Sequence, residues 1–73
     1  MTMKATFERP MLSVYKGVIK NAAAMTTLAG AARYIQGWCP ELWVYVGAAH
    51  IAIHRETGKG DKGKRLAIIE VDE

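Results

Sequence analysis

The chain has 73 residues, enough for one domain and one hydrophobic core. A 51% apolar composition excludes intrinsic disorder, and a single cysteine, Cys39, excludes an internal disulfide and points to a reducing compartment, the cytoplasm. The net charge of +3 is concentrated locally, because five of the ten basic residues fall between Arg55 and Arg65.

Residues 1–10 read as a flexible tail or a short edge strand. Lys4 is soon followed by Glu8, Arg9 and Pro10, where a signal peptide would need an apolar run. From Met11 to Met25 the pattern admits two elements. Met11, Val14, Tyr15, Val18, Ala22 and Met25 can be drawn on one helical face behind Pro10. Val14, Tyr15, Val18 and Ile19 are also good strand formers, and Lys20-Asn21 can turn the chain. The expectation is a strand.

A helix is predicted from Thr26 or Thr27. A threonine hydroxyl can cap it, and Leu28, Ala31, Ala32 and Ile35 fall at helical spacing. Arg33 suits a last turn, Gly37 a C′ position, and Pro40 forbids continuation. The alanines and Gly30 are small enough for the helix to approach a sheet closely.

The second half reads as β. Leu42–Val46 is dense in β-branched and aromatic residues, and Gly47-Ala48-Ala49 is a turn or bulge. His50–His54 alternates, with Ile51 and Ile53 on one face and His50, Ala52 and His54 on the other. Thr57–Lys64 is a glycine-rich hairpin loop, and Arg65–Val71 is a last strand. The predicted fold class is α+β: one domain over 1–73, with one α-helix packed on an antiparallel sheet of three to five strands. No uncharged stretch reaches the roughly 20 residues of a membrane span, so no membrane association is expected.

Three motifs suggest chemistry and fall short of it. Gly58-Lys-Gly-Asp-Lys-Gly63-Lys64 matches the front of a phosphate-binding loop, but Arg65 stands where Ser or Thr should hold Mg²⁺, and a strand follows where a helix should. His50 and His54, on a strand, lie roughly 13 Å apart, too far to share a metal, and neither Cys39, Glu56 nor Asp61 completes a standard ligand pattern. Cys39, between Trp38 and Pro40, reads as a small buried hydrophobe, and no acids pair for acid–base work. No enzymatic activity, cofactor or metal is expected.

Two surfaces carry the binding expectation. Tyr34, Trp38, Trp43 and Tyr45 exceed what a small core needs as a group, although any one of them taken alone is a core residue by default. Arg55, Lys59, Lys62, Lys64 and Arg65 flank one loop, where a basic hairpin can follow a phosphate backbone. A homodimer through an edge strand or through Leu42–Val46 is a further expectation.

The run Thr27-Leu-Ala-Gly-Ala-Ala-Arg-Tyr-Ile35 resembles the helix of small phage and mobile-element accessory proteins of the anti-CRISPR type. The order of strand, helix, Trp38-Cys-Pro40 exit, short strand and glycine turn is similar as well. No functional residues carry over. The resemblance implies a small inhibitor that covers a surface of host machinery. The expected function is therefore a non-enzymatic protein-binding module, a phage-type inhibitor of a host defence or nucleic-acid-processing complex. The alternative is a nucleic-acid-binding protein using the basic hairpin 55–65.

Overall fold

In the computed structural model of the chain, residues 2–55 and 63–72 are described. The order is β1 (Thr2–Phe7), α1 (Ser13–Ala23), α2 (Leu28–Trp38), β2 (Leu42–Val46), β3 (His50–Arg55) and β4 (Arg65–Asp72). The four strands form one antiparallel sheet in the order β1-β4-β3-β2, and both helices pack on one of its faces. The α+β class and the antiparallel sheet follow the sequence reading. The number of helices does not.

Residues 13–23 are helical where a strand was expected. Tyr15, Val18, Ile19 and Ala22 recur at i, i+3, i+4 and i+7 and are all buried, and burying that stripe outweighs the strand preference of their side chains. Val14 and Met25, assigned to the apolar face by spacing, are exposed instead. The helix starts without a side-chain cap, at Leu12. Residues 2–7 form an edge strand, and Lys20 Nζ lies 6.0 Å from the Phe7 ring, joining α1 to β1.

α2 begins as expected, with the Thr27 hydroxyl accepting from the Gly30 N–H at 3.0 Å. It runs past Gly37 to Trp38, so Gly37 is an interior helical residue and Arg33 is not in the last turn. Gly30 serves the cap more than the sheet. A Cβ there would stand 2.9 Å from Thr27 Oγ1.

The core lies between the helices and the inner face of the sheet. Ile19, Ile35, Ile51, Ile53 and Ile69 are fully buried, with Ala22, Ala31 and Ala67 filling the close approaches. Cys39 is 2% exposed and belongs to this cluster. Among the described residues no buried side-chain polar atom lacks a partner, and no helix is long and apolar enough to cross a membrane.

Candidate functional site: the outer sheet face

Strand alternation sends every second side chain away from the helices. The pairing register then assembles these side chains into rows across the sheet. Trp43 lies opposite His54, and His54 opposite Arg65. Tyr45 lies opposite Ala52, Ala52 opposite Ile68, and Ile68 opposite Thr6. His50 lies opposite Glu70, and Glu70 opposite Lys4. No described element packs on this face.

The apolar part of the face is concentrated toward β2. The Trp43 and Tyr45 rings have centroids 6.3 Å apart, and the His54 ring meets Tyr45 edge-on at 5.8 Å. Tyr45 is 43% exposed, while Ala52, flanked by Tyr45 and Ile68, is buried. His54 Nδ1 lies 3.1 Å from the Gly63 carbonyl. A carbonyl can only accept, so Nδ1 carries the proton, and in the neutral ring Nε2 is left as an acceptor.

The charged part lies toward β1 and carries both signs. Arg65 and Glu8, 57 residues apart in sequence, form a two-pronged ion pair, with Nη2 donating to Oε2 at 2.8 Å. The hydrogen bond from Arg65, more than its charge at a distance, holds the Glu8 carboxyl below its ordinary value of 4.5. With Arg9 and His54 this pair lines a shallow open cleft of about 390 Å³. A register shift between Ile53 and His54 lets Arg65 face His54 while Ala67 faces Ile53, leaving Leu66 without a partner on β3.

The expected site residues do not form one surface. Trp43, Tyr45 and Arg65 lie on the outer face. Tyr34 and Trp38 pair with each other on α2, at 6.3 Å between centroids, and Trp38 is 68% exposed. Arg55 shares a face with Ile53 and lies opposite Leu42, so it belongs to the helix side, where its charge acts on Glu41 and Tyr15. Lys64 is exposed. Lys59, Lys62, Glu56, Asp61 and the Gly58–Lys62 part of the loop motif lie outside the described residues. The basic cluster expected over 55–65 is thus divided, as far as it is described: Arg55 faces the helices and Arg65 is held by Glu8.

His50 and His54 share a strand face with Ala52 between them, and among the described residues no three His, Cys, Asp or Glu side chains converge on a metal position. Ile68, Glu8, Lys4 and Glu70 were not singled out from the sequence. Alternation along Arg65–Val71 placed Ile68 and Ile69 on opposite faces, which was the available signal for Ile68. The Glu8–Arg65 pair had none, because it depends on β1 lying beside β4. Compared with family models, with curated proteins and with solved structures, the chain matches none.

Proposed function

We propose that this chain is a non-enzymatic protein-binding module whose partner docks on the outer sheet face around Trp43, Tyr45 and Ile68. The observation that carries the reading is the one-sided cover among the described residues. Both helices lie on the inner face, and the outer face keeps an aromatic and aliphatic row next to charges of both signs. Apolar anchors with a mixed polar rim suit a protein surface. A polyanion would select for unpaired cations, and Arg65 is already committed to Glu8. The resemblance of the Thr27–Ile35 helix to anti-CRISPR-type accessory proteins supports a more specific form of this proposal. In it the chain inhibits a host defence or nucleic-acid-processing complex by covering one of its surfaces.

Affinity capture from a bacterial lysate, with and without nuclease, tests the reading. The expected result is one protein retained after nuclease treatment and lost with Tyr45→Glu. Capture of nucleic acid alone, released by salt, would replace it with the alternative of direct nucleic-acid binding through Lys64 and the remaining basic loop residues. Retention of the same protein by Tyr45→Glu would move the docking surface elsewhere.

A further inference from the structure

The sheet has two edges, and they differ in chemistry. β1 carries Lys4 between Thr2 and Thr6 and runs into Glu8, Arg9 and Pro10. A lysine within the strand and a proline after it are features that keep an edge from pairing with another chain. β2, at the opposite edge, reads Leu-Trp-Val-Tyr-Val, with no charge and no proline. Val46 is 54% exposed at its end.

The direction of the β2 backbone groups follows from one bond. Gly47 N–H donates to the His50 carbonyl at 2.7 Å, which makes Gly47 and His50 a hydrogen-bonded pair. Antiparallel pairs alternate, so Tyr45 and Trp43 also bond inward to β3, while Val44 and Val46 direct their N–H and C=O groups outward. The Leu42 carbonyl points outward as well, while its N–H donates to the Cys39 carbonyl at 3.0 Å.

We propose that two copies of this chain join by antiparallel β2–β2 pairing about a two-fold axis at Val44, forming one continuous sheet. The register is self-complementary in hydrogen bonds. The two Val44 residues exchange a reciprocal pair, and each Val46 N–H donates to the Leu42 carbonyl of the partner subunit. Leu42, whose own N–H is occupied, is asked only to accept. The register is also complementary in side chains. Val44 meets its own copy and Leu42 meets Val46 on the helix side, while Trp43 meets Tyr45 on the outer face, and apolar and aromatic cross-strand pairs of this kind stabilise antiparallel sheets. Glu41 falls opposite Gly47 of the partner subunit, so no like charges meet, although each chain carries a net charge of +3. The pairing extends the aromatic row of the outer face across the axis. It is a separate claim from the partner docking proposed above.

Sedimentation equilibrium over a concentration series, together with amide exchange read by NMR, tests the pairing. Twice the mass of one chain is expected, with protection of the Val44 and Val46 amides that grows with concentration. Val46→Lys and Val44→Pro are expected to sediment as monomers while keeping the helical circular dichroism of the parent. Val44→Pro removes an N–H that the chain's own ladder does not use, and Val46→Lys tests the same edge should the proline variant not fold. A chain that stays monomeric at millimolar concentration overturns the proposal, and so does a dimer that survives in folded Val46→Lys. A parent dimer in which the Val44 and Val46 amides exchange as freely as in the monomer would place the contact away from the β2 edge, and would equally overturn it.

Discussion

The Tyr15 hydroxyl donates to Glu41 Oε2 at 2.7 Å, joining the first turn of α1 to the residue that leads into β2. Tyr15 is buried and Glu41 lies at the surface, so the bond anchors the connection between α2 and β2 from beneath. It perturbs both partners. The hydrogen bond from Tyr15 lowers the Glu41 carboxyl below 4.5, while the hydrogen bond to Glu41, with burial, raises the Tyr15 phenol above 10.0.

These shifts give the stability curve a definite sign at both ends. Glu8 and Glu41 have folded values below their unfolded ones. Their contributions are present above 4.5 and are lost as pH falls through the lowered folded values. Tyr15 contributes below 10.0 and loses that contribution as pH rises through its raised folded value. Thermal melts across acid pH should show the parent losing stability below 4.5. A Glu8→Gln/Tyr15→Phe variant should start less stable at neutral pH and show a shallower acid slope. Equal slopes would mean that these pairs do not persist in solution.

The crowded cap of α2 makes an unusual glycine prediction. Exchanging an interior helical glycine for alanine ordinarily stabilises by about 1 kcal/mol. Gly30→Ala should show no such gain, because its Cβ would press on the Thr27 oxygen that accepts from the residue-30 N–H. Thr27→Ala alone should cost about 1 kcal/mol. In the Thr27→Ala background, Gly30→Ala should recover the ordinary gain. Urea melts of the four proteins measure this coupling, and strict additivity would contradict it.

Adjacent strands should respond very differently to truncation. Ile53 is fully buried, and Ile53→Ala should cost about 2–5 kcal/mol. That is a large share of the total stability of about 4–11 kcal/mol expected for a domain this size. Tyr45→Ala removes a half-exposed ring from the outer face and should cost about 1 kcal/mol or less. Chemical denaturation separates the two cases. A Tyr45→Ala penalty as large as that of Ile53→Ala would remove Tyr45 from the docking surface and return it to the core.

Cys39 is set up to be unreactive. Burial, and secondarily the Glu41 carboxylate, raise its thiol above the ordinary value of 9.0. Alkylation by iodoacetamide, followed by mass spectrometry, should be at least about a hundredfold slower in the native protein than in urea, because reaction must wait for the core to open. Comparable rates would show that the exit of α2 is open in solution.

The legible parts of the fold were those with local punctuation. Thr27 marked the start of α2, and the Ile51/Ile53 alternation set the inner face of β3. α1 was illegible because its start carries no side-chain cap and its buried stripe is built from tyrosine, valine and isoleucine, whose intrinsic preference is for strands. Two apolar residues compete for the margin of the helical face, and it is Ile19, not Val14, that is buried. For the site, the aromatic residues were legible as a group, but their destinations depended on which side of the sheet the helices occupy. Trp38 and Trp43, five residues apart, lie on different elements and belong to different surfaces. The Arg55–Arg65 cluster looked like one patch because the residues are near in sequence, whereas strand alternation and the Glu8 pair put its two ends to different uses.

The position of β4 between β1 and β3 governs how the molecule can be made. During synthesis β2 and β3 can pair as a hairpin as soon as they leave the ribosome, but β1, made before them, has only α1 to pack against and no strand beside it until residues 65–72 emerge. A nascent chain stalled before Arg65 therefore carries an unpaired first strand and a half-covered core, open to chaperones and proteases. The final strand completes the sheet by insertion, and closing so long a loop is the slow kind of contact for a chain this size.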